Sequence, residues 1–321
     1  MIGRISCRYL PWLALLVPPR PVSAQGEPPL TPIAAHARAT LVLPGFADFL
    51  VADGRTVWVT NEGRIEQLSA DHPRPMRAVP IPEPCGAMSV AYGSVWVANC
   101  QDGSIYRIDR RSGKVTAIIP TGLADKNGEL SLAAGANAIW VLSDSQGVLS
   151  RVDVPTNRIV ARIAVAPHSY AAVFGFGAVW VTNTGARHAV GAGGVQRIDP
   201  ASNRVSATVA VGPQPRFLAA GEGGVWTLNQ GDGSVTRIDP ATNTVTATIA
   251  VGVAGGGGDI ATGGGRVWVR ATKILLTAID PGKNRILERF GPPAGSGAVR
   301  VASGHVWVTA HDIHTVWVLQ R

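Results

Sequence analysis

Seven tryptophans divide most of the chain into copies of one local pattern. Each follows Val or Ile, and six of the seven precede Val. Successive members of the series are 38, 44, 40, 46, 42 and 39 residues apart. The series consists of Trp58, Trp96, Trp140, Trp180, Trp226, Trp268 and Trp307. A repeat of this length restricts the chain to folds built from one supersecondary unit used several times.

The copy around Trp226 contains four strand-like segments separated by turn residues. They span residues 216–220, 224–228, 234–239 and 244–251, and we name them strands A to D. Strand D alternates apolar residues with threonine, which is typical of an outer strand, whereas strand B is apolar on both faces. Four such strands in each repeat are typical of a propeller blade. The sequence therefore predicts an all-β, seven-bladed β-propeller with four-stranded antiparallel blades.

The last repeat lacks a strand D of its own. After Trp307 only one further strand-like segment remains, residues 315–319. Residues 40–43 form a spare strand ahead of the first repeat. We expect this N-terminal strand to complete the last blade and close the ring, because pairing removes an exposed sheet edge.

The N-terminus resembles a secretory signal. Arg4 and Arg8 precede a short apolar stretch, and Val22-Ser23-Ala24 forms a small-residue cleavage site. We therefore expect a signal peptide over residues 1–24, a flexible leader over 25–38 and the propeller over 39–321, in the periplasm or secreted. An uncleaved or wrongly assigned start is the alternative. The apolar stretch is too short to span a bilayer, and we expect no membrane span after cleavage.

Composition limits the classes of partner. Apolar residues make up 46% of the chain and charged residues 16%, which excludes a disordered chain. Without the three arginines of residues 1–24, 26 basic residues face 21 acidic ones, a net charge of +5. The sequence has no run of Lys or Arg, so we expect no nucleic-acid binding, and we expect a monomer.

Two cysteines remain after the signal. Cys85 and Cys100 are equidistant from a predicted turn at Tyr92-Gly93, so they should face each other across strands A and B. We predict a disulfide, which suits an oxidising compartment, and two free thiols are the alternative. The sequence lacks the additional clustered Cys and His residues of a zinc site.

A turn between strands C and D recurs in five repeats. Each copy opens with Asp and has Gly or Asn at its fifth position, where a positive φ is expected. The turns begin at Asp109, Asp153, Asp199, Asp239 and Asp280. We interpret these aspartates as turn-forming residues and not as metal ligands, because each belongs to a different blade.

One face of the propeller carries the irregular loops. The D–A and B–C connections lie on this face, and the long ones cover residues 121–129, 183–194 and 255–259. Binding residues concentrate on variable loops of a rigid scaffold. We predict a polar ligand or partner site at the central mouth of this face, the alternative being a mouth capped by water and salt bridges. The candidate residues are Glu129, His168, Tyr170, Arg216, Asn229, Asp259, Arg270, Arg300 and His311.

Several segments resemble the YVTN-type β-propeller repeat. Residues 224–226, 234–240 and 244–252 read GVW, SVTRIDP and TVTATIAVG, and residues 59–61 and 181–183 both read VTN. The resemblance extends over most of the chain and also reaches the broader streptogramin (virginiamycin B) lyase-like group of bacterial propellers. It implies the propeller fold and leaves function open, because such propellers serve many roles.

The resemblance also implies what a lyase would require. Streptogramin lyases use His and Glu on the mouth face with a divalent metal, and a Glu commonly stands three residues after the strand-B Trp. The corresponding residues here are Asn61, Asn99, Ser143, Asn183, Asn229, Ala271 and Ala310.

We therefore expect an exported, non-catalytic binding or scaffold propeller without a cofactor, which takes a small ligand or a protein partner at its mouth. The alternative is a metal-dependent lyase or lactonase-like enzyme that holds a divalent metal with Glu129, His168 and His311. A third hypothesis is a redox quinoprotein.

Overall fold

The computed structural model describes residues 27–122, 130–143, 147–185 and 193–320. It begins with β1 (Leu30–Pro32), a 3-10 turn (Ile33–Ala35) and β2 (Ala37–Val42). No helix within these described ranges is long and apolar enough to cross a membrane.

The remaining strands form seven antiparallel sheets, numbered as blades one to seven in chain order. Blades one to three contain β3 (Leu50–Asp53), β4 (Thr56–Asn61), β5 (Arg64–Ser69), β6 (Arg74–Pro80), β7 (Pro84–Ala91), β8 (Ser94–Asn99), β9 (Ser104–Asp109), β10 (Val115–Pro120), β11 (Leu130–Gly135), β12 (Ala138–Ser143), β13 (Val148–Asp153) and β14 (Arg158–Ala164).

Blades four to six contain β15 (Ser169–Gly175), β16 (Ala178–Asn183), β17 (Gly193–Asp199), β18 (Arg204–Val211), β19 (Pro215–Gly221), β20 (Gly224–Asn229), β21 (Ser234–Asp239), β22 (Thr244–Ala250), β23 (Asp259–Thr262), β24 (Val267–Arg270), β25 (Leu276–Asp280) and β26 (Arg285–Gly291). Blade seven contains β27 (Val299–Ala302), β28 (His305–Ala310), a 3-10 turn (His311–Ile313) and β29 (Thr315–Gln320).

The blades close into a ring, as the sequence predicts. The inner strand of each blade contacts the inner strand of the next, and β27 of blade seven contacts β3 of blade one. The N-terminal β2 pairs antiparallel with β29, with Thr40 opposite Trp317. The expected closing strand is therefore confirmed, although it starts earlier than expected, at Ala37. The fold is a seven-bladed β-propeller.

From residue 27 onwards, the segment expected to be a flexible leader contains β1, the 3-10 turn and the start of β2. β1 pairs in parallel with β26, the outer strand of blade six, and Leu30 lies opposite Arg289. Ile33 is buried in the same cluster as Phe290. The chain passes the open edge of blade six on its way to blade seven, and pairing satisfies the backbone groups of that edge. Residues 1–24, the expected signal peptide, lie outside the described ranges.

A repeated arginine joins neighbouring blades, and our reading of the sequence missed it. Arg237 of strand C stacks over Trp226 of its own blade, with 4.9 Å from Cζ to the ring centroid. Its Nη1 donates to the Pro281 carbonyl (2.6 Å) and to Asn284 Oδ1 (3.1 Å) in the C–D turn of blade six. Arg107 of blade two and Arg151 of blade three make the same contact, each with the C–D turn of the blade that follows its own.

The C–D turns also follow the prediction. Asp199 Oδ1 accepts the N–H of Ala201 at 2.9 Å, and Asn203 at the fifth position has a φ of 55°. The aspartate therefore shapes the turn, and the asparagine that ends it supplies the acceptor for Arg151 of the preceding blade.

The disulfide between Cys85 and Cys100 is present, with Cα atoms 5.9 Å apart. The register differs from the symmetric hairpin expected. Cys85 lies opposite Ala98, and a bulge shifts the ladder between Cys85 and Ser89. Gly86 stands in this bulge with a φ of 68°, and a Cβ there would meet the Leu130 carbonyl oxygen at 1.9 Å. Close approach of blade three therefore requires glycine at this position.

Candidate ligand site in the central channel

The inner strands of all seven blades surround a cavity of about 270 Å³ on the axis of the ring. Most of the residues in its wall have apolar side chains, namely Ala, Val, Leu and Met together with Phe49, Phe174 and Phe217. The hydroxyls of Ser89 and Ser131 also reach the wall, but they bond neighbouring inner strands: Ser89 donates to the Leu132 carbonyl (2.9 Å), and Ser131 accepts the Ala172 N–H (3.0 Å). Within the described residues, the other side chains that line the channel are apolar except at one point, although polar atoms still make up close to half of the exposed wall.

That point is an ion pair between blades six and seven. Nη1 of Arg300 bonds Oδ2 of Asp259 and also donates to the Val299 carbonyl at 2.6 Å. The Asp259 carboxylate further accepts the N–H groups of Val299 (3.1 Å) and Ile260 (2.9 Å). Among the described residues, the channel thus holds one fixed cation beside a carboxylate whose two oxygens both accept hydrogen bonds.

Burial sets the electrostatics of the pair. Asp259 is 3% exposed, and burial raises the pKa of its carboxyl above the usual range, while the charge of Arg300 and the backbone hydrogen bonds oppose that shift. The Arg300 side chain is 24% exposed, so solvent still reaches its guanidinium. A carboxylate so placed serves mainly to orient the arginine.

Glycine places Asp259 at the channel wall. Gly258 has a φ of 117°, and a Cβ on it would lie 2.3 Å from the Arg270 carbonyl oxygen. Its N–H donates to Ser296 Oγ at 3.1 Å. Gly257 and Gly258 therefore allow the loop that enters blade six to run against Ser296, ahead of blade seven, and against the backbone of Arg270.

Two other predicted mouth residues meet in blades four and five. The Arg216 guanidinium lies over the Tyr170 ring, 3.9 Å from Cζ to the centroid, and Nη2 donates to the Tyr170 hydroxyl at 2.7 Å. Tyr170 in turn packs edge-on against Phe217, with centroids 5.5 Å apart. The pair supports the rim of the channel, and Tyr170 engages part of the Arg216 guanidinium.

Asn229 and Arg270 are buried and hold the fold together. The Asn229 amide donates to Ser234 Oγ (2.9 Å) and Thr236 Oγ1 (2.8 Å) within its blade. Arg270 is 0% exposed, and its Nε donates to the Thr309 carbonyl of blade seven at 3.0 Å. Burial lowers the pKa of Arg270 to about 10. Neither side chain presents surface to a ligand.

The residues proposed for a metal do not come together in the structure. Glu129 lies outside the described residues. His168 is an exposed residue of blade four with a φ of 62°, whereas His311 belongs to blade seven and stacks on Phe46, with centroids 4.0 Å apart. Burial is the main cause that lowers the pKa of His311. In the part of the chain that the structure describes, no three His, Cys, Asp or Glu side chains converge to hold a metal ion.

Our sequence reasoning considered polar residues and therefore missed the apolar wall. A signal for the wall exists, because inner-strand residues stand at fixed distances before each repeat's tryptophan. Phe49 and Phe217 both lie nine residues before it, as Asp259 does, and Arg300 lies seven before it. Counting back from each tryptophan would have found these residues.

Solved structures share this architecture at low sequence identity. A chain of Kuenenia stuttgartiensis hydrazine synthase superposes with a TM-score of 0.72 and 14% identity over 88% of this chain and 97% of that one. Virginiamycin B lyase from Staphylococcus aureus gives 0.71 and 14% over 88% and 98%, and the Neurospora crassa Pan2 WD40 domain gives 0.68 and 13% over 88% and 94%. No family model and no curated protein sequence matches the chain. The protein is a β-propeller, and its structural neighbours have varied functions.

Proposed function

We propose that this protein is an exported, non-catalytic binding propeller of the YVTN type, and that its ligand is a small molecule held in the central channel against Arg300. The observation that carries the proposal is the cavity of about 270 Å³, which is lined mostly by apolar side chains and, among the described residues, by one oriented ion pair. A concave, largely apolar site with few fixed polar groups is the usual form of a small-molecule site.

The remainder of the predicted mouth favours binding in the channel over binding on its rim. Asn229 and Arg270 are buried, and Tyr170 engages Arg216. Arg300 is the cation that lines the cavity, and its side chain is partly open to solvent. A ligand in the channel would contact apolar side chains and this charge.

A substitution that fills the channel tests the location. Ala134 is half-buried in β11 and lines the cavity, so Ala134→Phe places a ring inside it. Val160→Phe is the matched control, because Val160 is 58% exposed on the outer strand of the same blade. Both variants add an aromatic side chain to blade three, but only the first one occupies the site.

The assay is saturation-transfer NMR with a panel of six- to eight-carbon aliphatic acids, amides and amines. We expect at least one member to bind the wild type and Val160→Phe but not Ala134→Phe. Equal binding to all three proteins would place the site elsewhere, and a panel without any binder to the wild type would count against a small-molecule site in the channel.

A further inference from the structure

One edge of the Arg300 guanidinium has no protein partner. Nη1 bonds Asp259 and the Val299 carbonyl. Across the described ranges, no acceptor lies within hydrogen-bonding distance of Nε or Nη2 of this residue. The side chain lines the cavity and is 24% exposed. Arg300 therefore lines a channel of mostly apolar side chains, and the protein bonds one half of its guanidinium and leaves the other half available.

The available half has a defined chemical preference. Nε–H and Nη2–H of arginine are parallel donors in one plane, and they match the two oxygens of a carboxylate. Asp259 fixes the opposite side of the guanidinium, so that edge is held in position before a ligand arrives. A lysine ammonium would supply charge at this position without the planar pair of donors.

The charges that line the described part of the channel favour an anion with a single negative charge. Asp259 and Arg300 are the only charged residues that line the cavity within the described part of the chain, and together they are close to neutral. A dianion such as a phosphate monoester would bring a second negative charge towards Asp259 without another cation to balance it. A monocarboxylate adds one charge, which the free edge of Arg300 can bond directly.

The walls and the volume define the rest of the ligand. Phe49, Phe174, Phe217 and aliphatic side chains line the cavity. A water molecule occupies about 30 Å³ in the liquid, so a cavity of about 270 Å³ has room for a ligand of at least about nine non-hydrogen atoms. This is the size of a six- or seven-carbon acid or of an aromatic acid with one ring.

We propose that the channel binds a small organic monocarboxylate with an apolar body, and that the carboxylate accepts paired hydrogen bonds from Nε and Nη2 of Arg300. The inference rests on the proposed function, since it assigns the ligand class of the same channel. Within that function, it makes Arg300 the residue that determines specificity.

Calorimetric titration with hexanoate, hexanamide and hexyl phosphate tests the assignment. We expect wild-type protein to bind hexanoate about tenfold or more tightly than hexanamide, and more tightly than hexyl phosphate. The double variant Asp259→Asn/Arg300→Gln removes both charges and leaves no unpaired buried carboxylate. We expect it to bind hexanoate no better than hexanamide. Arg204→Gln, at an exposed arginine on the outer strand of blade four, is the control and should retain the wild-type preference.

Arg300→Lys serves as a second variant if the double variant unfolds. We expect it to fold and to lose most of the preference for hexanoate, because lysine keeps the charge but not the paired donors. Equal binding of hexanoate and hexanamide by the wild type, or tighter binding of hexyl phosphate, would overturn the carboxylate assignment and leave binding in the channel intact. If none of the three binds, the proposed function fails with it.

Discussion

The arginine that joins neighbouring blades gives the most quantitative prediction. Arg237→Ala removes a guanidinium stacked 4.9 Å above Trp226 and two hydrogen bonds to the turn of blade six, at 2.6 and 3.1 Å. It also removes a hydrogen bond to the Gly223 carbonyl at 3.1 Å, which is exposed and adds little. A partly buried cation–π contact contributes about 1 kcal/mol, and each hydrogen bond from a charged donor at a half-exposed site contributes about 1 kcal/mol. We therefore expect the free energy of unfolding to fall by about 3 kcal/mol.

The lysine variant separates charge from geometry. Arg237→Lys keeps a cation near the Trp226 ring but cannot reach both acceptors with a planar pair of donors, so we expect a loss of about 1 to 2 kcal/mol. Arg204→Ala is the control, because Arg204 is an exposed arginine of the preceding blade and should cost less than about 0.5 kcal/mol.

Equilibrium urea unfolding, followed by tryptophan fluorescence and far-UV circular dichroism, measures all three variants. Loss of the blade contact should shift the midpoint without changing the slope. If Arg237→Ala costs no more than Arg204→Ala, the arginine does not stabilise the contact between blades, and our account of how the ring is held together is wrong.

Three further predictions concern stability. Replacing both Cys85 and Cys100 by alanine should lower the free energy of unfolding by about 3 kcal/mol, the cost expected for a loop of 15 residues. Adding reductant should lower the melting temperature of the wild type and leave that of the variant unchanged. Gly86→Ala should lower the free energy of unfolding by about 3 kcal/mol or more, because its Cβ would meet the Leu130 carbonyl. Gly93 has a φ of 74° and open space around it, so Gly93→Ala should lower it by about 1 kcal/mol, and thermal unfolding measures both variants. Hydrogen bonds from the Ala201 N–H and the Ser202 hydroxyl hold the pKa of Asp199 below its ordinary 3.8. The stability that this carboxylate contributes is therefore present above about pH 4 and is lost as the pH falls through the folded-state pKa. Melting temperatures from pH 7 to pH 3 should fall less steeply for Asp199→Asn than for the wild type, and parallel curves would refute this.

The repeat in the sequence accounts for most of the fold. The tryptophans predict the blades because each one is buried in strand B of its own sheet, and the C–D turns follow from Asp and Asn side chains that act within a few residues. The closing strand follows from the count of strands in the last repeat. Contacts of this kind are local or periodic, so the sequence contains their signal.

Features that depend on how separate segments approach each other could not be predicted in this way. The parallel strand β1 depends on the path of the chain past the edge of blade six, and the bulge after Cys85 depends on the close approach of blade three. Polarity alone did not separate Arg300, which lines the channel, from Arg270, which is fully buried between two blades. That distinction depends on side-chain direction.

The most direct test of the central claim is a crystal structure of the protein soaked with hexanoate. We predict density for the acid in the central channel, with its carboxylate against Nε and Nη2 of Arg300 and its chain against Phe49 and Phe217. Density for the acid only outside the channel, with water alone beside Arg300, would contradict the claim.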